Sequence, residues 1–373
     1  MTLSLPADPS GAPRLTGVLP DAVAALDGRS ARWPTVQSLI VFVVDGLGAA
    51  NLAENMAYAR FLAEHRGKRR VATSVFPSTT AAALTSLLTG SDVGRHGLVG
   101  YRARDPLTGL VHNQLTDWGP RALDPVAWPQ VVPLSASDSA HRWVVASKPE
   151  YAATGFTEAT LRGAENFGEK RLDDRVERAI TEARSAPGTI VYLYAPELDS
   201  AGHRHGVASD RWTAALEAVD AAARRLHTGA GAGVGVILTA DHGMVDVPRH
   251  RQVVMTEGDP RLETAAAIAG EPRMLHLYAH PDDEASLLRA WRDEPTAWVF
   301  TREEAIAAGL FGDAVSAAVA ARIGDVMVAA RGRVAYYDGR LADTSAQQMV
   351  GQHGSLTSEE RVVPLIGLGG FAG

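Results

Sequence analysis

The chain has no cysteine. That excludes a thiol nucleophile, zinc–thiolate fingers and iron–sulfur clusters, and it leaves no disulfide to staple the fold. A chain of 373 residues is long enough to build its core without one. An excess of basic residues is missing too: 36 Lys and Arg stand against 43 Asp and Glu, a formal net charge of −7. Such a balance supplies no broad basic face for a nucleic-acid duplex. Long apolar runs are also absent. The stretch 38–44 is among the longest, far short of the roughly 20 residues that span a bilayer. The amino terminus, MTLSLPADPSGAPRLTGVLP, lacks a basic start followed by an apolar stretch. No secretory signal is read there, and a cytoplasmic location is the expectation. No internal repeat stands out, and alanine enrichment is the one compositional bias.

What is there is ordinary globular usage, 46% hydrophobic and 21% charged, which excludes a disordered tail or a coiled coil. SLIVFVVDGLG (38–48) is a β-branched, apolar run ending in Asp-Gly, the pattern of a central parallel strand buried on both faces. A helical composition follows over 49–65, then a short strand over 71–76 and an Ala/Leu-rich helix over 78–90 stopped by Gly90. The alternation continues with strands at 142–147, 189–196 and 233–243 and helices at 170–185 and 209–227. Strands alternating with long helices predict an α/β fold: a doubly wound, mostly parallel central sheet with helices on both faces. After Met244 the pattern changes to short strand candidates, RMLHLYA, DVMVAAR and RVAYYD, among short acidic or Ala-rich helices. The expected organisation is a lead-in over 1–35, a core made of 36–245 plus 346–373, and a smaller inserted cap over 246–345.

Four places at predicted strand ends carry chemistry, and in open α/β sheets that edge is where sites are built. Asp45 follows apolar strand residues, where a carboxylate needs a partner, a metal or a helix to cap. Asp241 and His242 adjoin in ILTADHGM. In PELDSAGHRHG, Asp199 and His203 are four apart, which on a helical turn puts both on one face; His205 is a further imidazole nearby. His353 sits between glycines in GQHGS. Each alone is equally compatible with a helix cap or a surface histidine. Together, three Asp and three His supply the oxygen and nitrogen donors of two divalent cations, with zinc the best match. Two such ions about 4 Å apart form a clamp for in-line phosphoryl displacement. FPSTTAAALTSLLTG supplies the nucleophile: Ser78 or Thr79 is expected to cap the helix while Thr80 points its hydroxyl at the metals.

These segments in this order resemble the alkaline phosphatase superfamily, in its type I phosphodiesterase/nucleotide pyrophosphatase branch. VVDGLG, FPSTTAAALTSLLTG with RHG at 95–97, LDSAGHRHG, TADHG and QHGS carry the likeness, over about residues 38–245 and 350–370. The resemblance implies an alkaline phosphatase-like core. It places Thr80 at the nucleophile position and gives Asp45, Asp241 and His242 to one zinc together with the Thr80 oxygen. Asp199, His203 and His353 would hold the second. The implied mechanism passes through a phosphothreonine that water then hydrolyses. One departure stands out. Nucleotide pyrophosphatases typically continue with Phe-Pro-Asn, whose Asn binds a phosphate oxygen, whereas Thr80 is followed by Ala81, Ala82 and Ala83. The Thr80 N–H, Lys148 or Asn113 are candidates to replace that donor, and Tyr151 and Tyr194 are further candidates to line the cleft. The chain lacks the long insertion and Ser nucleophile of a cofactor-independent phosphoglycerate mutase and the C/S-x-P-x-R of a sulfatase.

The expected function is therefore metal-dependent hydrolysis of phosphodiester or pyrophosphate-type bonds in a small phosphorylated substrate. Two alternatives stay open. One keeps the metals but changes the reaction, to a phosphonate hydrolase, phosphomonoesterase or phosphotransferase. The other is a pseudoenzyme that binds metal and phosphate without turnover.

Overall fold

The run SLIVFVV forms β1 (Ser38–Val44), and all seven of its residues are buried. A strand apolar on both faces has to lie inside a sheet covered on both sides. The computed structural model describes residues 5–67 and 70–372; residues 1–4 of the expected lead-in and Gly373 at the end of the expected core lie outside them. β1 is followed by β2 (Val71–Thr73), β3 (Arg142–Ser147), β4 (Glu165–Gly168), β5 (Thr189–Ala195) and β6 (Val234–Thr239). Four further strands, β7 (Ala265–Glu271), β8 (Met274–Ala279), β9 (Ala297–Thr301) and β10 (Val326–Ala330), precede the last, β11 (Val362–Gly369).

The central sheet has seven strands in the order β2-β11-β6-β1-β5-β3-β4. β1 runs parallel to β5 and β6, and β3 runs parallel to β4 and β5. β11 is antiparallel to both β6 and β2. The mostly parallel α/β sheet read from the sequence is present. Its helices include α1 (Leu15–Leu26), α2 (Thr80–Thr89), α3 (Leu172–Ser185), α4 (Glu197–His205) and α5 (Asp210–Ala230). α3 and α5 pack together and against the sheet; α1 packs on α2 and against β1 and β2. In α5 the buried Trp212, Leu216, Val219, Ala223 and Leu226 recur every three or four positions, the stripe of a helix with one face against a core. Ser209 starts it by accepting the Trp212 N–H at 3.2 Å.

Register places the site. Val44 of β1 lies opposite Ala195 of β5, and Val43 lies opposite Thr239 of β6, so three neighbouring strands end at one level. Because β11 runs the other way, its first residues meet the ends of β2 and β6: Val362 faces Thr73 and Leu365 faces Thr239. The chain before β11 therefore arrives at the same edge from the opposite direction.

Residues 265–330 build a second, antiparallel sheet, β7-β8-β10-β9, with a separate apolar cluster that includes Leu275, Leu277, Leu287, Trp291, Val326 and Val328. It is joined to the larger part through buried polar links. His276 Nε2 donates to the Val99 carbonyl at 3.1 Å while its Nδ1 accepts the Gly324 N–H at 3.0 Å. The Arg273 guanidinium forks onto Glu360 at 2.8 and 2.7 Å.

Two local expectations are corrected. The stretch 49–65 is two short helices, Ala49–Glu54 and Arg60–His65. Asp220 of α5 accepts the Phe61 and Leu62 N–H groups at 3.3 and 2.8 Å, which starts a new helix from a distant residue. The strand at 71–76 stops at Thr73, because the Ser74 hydroxyl turns to the Asp241 carbonyl and its N–H to the Arg361 carbonyl. Among the described residues, no helix is long and apolar enough to cross a membrane.

Candidate active site and metal centre

The acids and imidazoles singled out above gather at one edge of the sheet. Asp45 leaves β1; α4 leaves β5 carrying Asp199 and His203; Asp241 and His242 leave β6; His353 comes in on the segment before β11. Gly46 permits the first turn. Its φ of +76° is left-handed, and the place of a Cβ would lie 3.1 Å from both Cα and Cβ of Asp199. The loop after β1 thus touches the start of α4 directly, as only glycine can.

The six side chains converge. His203 Nε2 lies 3.3 Å from Asp199 Oδ1, and His353 Nε2 lies 3.9 Å from the same oxygen. His242 Nε2 is 3.4 Å from both Asp45 Oδ1 and Asp241 Oδ2. The rings of His242 and His353 stack at 3.6 Å between centroids. Thr80 Oγ1 lies 3.1 Å from His242 Nε2. Two donor groups result, Asp199 with His203 and His353, and Asp45 with Asp199 and His242. Asp199 belongs to both. Asp241 stands at the edge of the second group: its Oδ1 accepts the Gly46 and His242 N–H groups at 3.2 and 3.0 Å, and Oδ2 is left bare.

The hydrogen bonds on the far sides of the rings fix what the near sides present. His203 Nδ1 pairs with the Gly351 carbonyl at 2.8 Å, His353 Nδ1 with the Ser78 carbonyl at 3.0 Å, and His242 Nδ1 with the Gly243 carbonyl at 3.1 Å. A carbonyl only accepts, so each Nδ1 carries a proton and each ring turns its Nε2 inward. The Nε2 atoms of His203 and His353 then face each other at 3.3 Å. Asp45 Oδ1, Asp199 Oδ1 and Asp241 Oδ2 are buried without a hydrogen-bond partner. Burial first, and then the charges of Asp241 and Asp199, push the Asp45 carboxyl well above its ordinary pKa. Burial, with His242 and His203 beside it, holds His353 far below the usual imidazole value. Buried carboxylate oxygens without partners, gathered beside imidazole nitrogens, are costly unless cations lie among them, so this donor set fits divalent metal ions.

Around this centre opens a cleft of about 1080 Å³, lined by Asp45, Thr79, Thr80 and His353 together with Ala267, Ile268, Glu271 and Tyr336. Of the substrate-binding candidates, Asn113, Tyr151 and Tyr194 line it. The Tyr194 hydroxyl donates to Asp45 Oδ2, so it holds an acid of the centre as well as walling the cleft. Lys148 does not line the cleft; its ammonium lies 3.6 Å from Glu197. His205 is exposed. The expected hydroxyl cap on α2 is absent as well: Thr79 occupies the cap position but its side chain caps no helix N–H, and Ser78 Oγ donates to the Ser355 carbonyl at 2.7 Å. Three cleft residues carried no sequence signal. Tyr101 and Arg102 come from a hairpin and Glu271 from the end of β7; no motif surrounds them, and only the packing of the second sheet brings Glu271 to the cleft.

A parallel α/β sheet with acids and imidazoles gathered at its carboxyl edge is the architecture of a metal-dependent hydrolase. The sequence model of the type I phosphodiesterase / nucleotide pyrophosphatase family matches residues 39–356, and the chain belongs to that family of hydrolytic enzymes. No curated protein sequence matches it. Among solved structures, murine ectonucleotide pyrophosphatase/phosphodiesterase 5 superposes with a TM-score of 0.69 at 17% identity, over 89% of this chain and 88% of that one. The human protein of the same name gives 0.68 at 16% identity, over 89% and 88%. An inactive variant of the murine protein in complex with AMP gives 0.68 at 16%, over 90% and 88%. At these identities the likeness is one of fold.

Proposed function

We propose that this phosphodiester hydrolase works with two divalent cations, zinc by donor chemistry, and with Thr80 as its nucleophile. The observation that carries the reading is the inward convergence of three imidazole Nε2 atoms and three unpaired carboxylate oxygens beside the Thr80 hydroxyl. Asp199, His203 and His353 would hold one ion; Asp45, Asp241 and His242 would hold the other, with Thr80 Oγ1 beside it. When bound, the ions supply Lewis acidity: they favour the alkoxide of Thr80 and screen the charge on the phosphoryl oxygens. Thr80 attacks phosphorus, the bond to the leaving alcohol or phosphate breaks, and water hydrolyses the phosphothreonine from the vacated side. Thr80 opens α2, and no side chain caps that helix, so its first N–H groups are available to a phosphoryl oxygen. The Tyr194 hydroxyl and the three carbonyls behind the imidazoles keep the donors in orientation.

The preferred substrate class is a diester or pyrophosphate of a small molecule. The murine neighbour bound to AMP supports a phosphorylated ligand in such a fold. A panel of chromogenic diesters and monoesters on zinc-loaded protein, with Thr80→Ala as control, tests this. Diester turnover lost in Thr80→Ala is the expected result. A monoester preference of about a hundredfold in kcat/KM would replace the diester reading with the monoesterase one.

A further inference from the structure

The mechanism above leaves one buried acid in the cleft without a role. Glu271 ends β7, is 5% exposed and lines the cleft, yet neither carboxyl oxygen has a hydrogen-bond partner. Its carboxyl lies over Gly354: the place of a Cβ there would be 2.6 Å from Glu271 Cγ and 2.9 Å from Oε1. Gly354 follows His353 and bridges to Ser78, so Glu271 stands over the junction between the metal centre and the loop leading to Thr80. The Thr79 hydroxyl, the Tyr101 N–H and the charge of Arg102 are near enough to lower its pKa, though burial outweighs them.

Glu360 shows what a settled buried carboxylate looks like in this protein. It takes both arms of Arg273, the Ser355 N–H and the Thr357 hydroxyl. Arg273 is only two residues from Glu271, yet it is taken up by Glu360 and by the Gly332 and Val334 carbonyls. A carboxyl that is buried, unpaired and bare toward an anion-binding cleft is there as the neutral acid, because the ionised form would be unsolvated and would repel the substrate. Burial pushes Glu271 up to about 8, in keeping with this, and an arriving phosphate adds negative charge that holds the proton more firmly.

We propose that Glu271 is a substrate-binding residue whose carboxyl group donates a hydrogen bond to a phosphoryl oxygen. The inference rests on the phosphodiesterase reading of the same cleft. Inorganic phosphate titrated calorimetrically into zinc-loaded wild type, Glu271→Gln and Glu271→Ala tests it. Gln keeps an N–H donor and is expected to bind phosphate within about threefold of wild type, whereas Ala loses about tenfold. Gln as weak as Ala, or Ala as strong as wild type, overturns the proposal. Metal content and unfolding midpoint accompany each titration. Independently of any variant's folding or activity, phosphate binding to wild type should perturb a protonated-carboxyl band in the infrared difference spectrum. No such band at neutral pH also overturns the proposal. Should wild type hydrolyse no phosphoester, the proposed reaction fails, while phosphate affinity and the infrared band still decide the role of Glu271.

Discussion

Thr80 differs from the two hydroxyl residues before it in where its oxygen goes. Ser78 gives its proton to the Ser355 carbonyl, whereas Thr80 Oγ1 reaches His242 Nε2 at 3.1 Å. Thr80→Ala should lower turnover by about a thousandfold or more with metal content unchanged, because acids and imidazoles remain to hold the ions; loss of metal in that variant, measured by mass spectrometry, would count against a primarily chemical role. Asp241→Ala should lose metal and activity together, since it removes a buried donor. Tyr194→Phe separates holding from walling. It takes one hydroxyl from Asp45 and leaves the ring, so affinity in a chelator competition should drop about tenfold; an unchanged affinity would mean Asp45 needs no support.

At the scale of elements, the site is a meeting of turns. Asp45, Asp199 and Asp241 converge because β1, β5 and β6 end level, and Gly46 lets the first of those turns rest on Asp199. Gly46→Ala should cost about 1–2 kcal/mol from its left-handed φ alone and should also push Asp45 away from Asp199. Weaker metal binding alongside a lower unfolding midpoint is the expected pair of results. A midpoint change with intact metal affinity would show that the turn shapes the fold but not the centre. Helices behave differently. The composition of 49–65 is helical throughout, yet Asp220, more than 150 residues away, decides where the second helix begins.

For the whole molecule, stability should depend on pH and on metal. His96 and His276 are buried and neutral, held by burial at about 3 and about 4 against an ordinary 6.5. Below pH 6.5 the unfolded chain gains protons on these rings and the folded one does not. Their contribution is therefore complete above 6.5 and is lost as the pH falls toward 4 and then 3. The unfolding midpoint should fall across that window, and His276→Gln, which preserves a donor toward Val99, should flatten the slope; an unaltered slope would assign the acid sensitivity to other groups. Chelation should lower the midpoint at neutral pH, because ions that bind the folded protein and not the unfolded chain no longer stabilise it. The raised pKa of Asp45 sets the sign: its penalty in the metal-free protein is relieved as acid protonates it. The gap between loaded and chelated protein should accordingly narrow on acidification.

The sequence by itself determined the sheet, the order of its motifs and the donors at its edge. Apolar runs ending in Asp or Asp-His are local patterns, and a parallel sheet leaves them few places to go. Tertiary structure alone decided the rest. It sent Lys148 to Glu197, set Tyr194 beneath Asp45 and brought Glu271 over Gly354. Those outcomes depend on which surfaces pack together across long stretches of chain, and no run of neighbouring residues encodes that directly. The antiparallel β11 is the clearest case: its direction carries His353 to the edge where the parallel strands end, and direction is a property of pairing, not of composition.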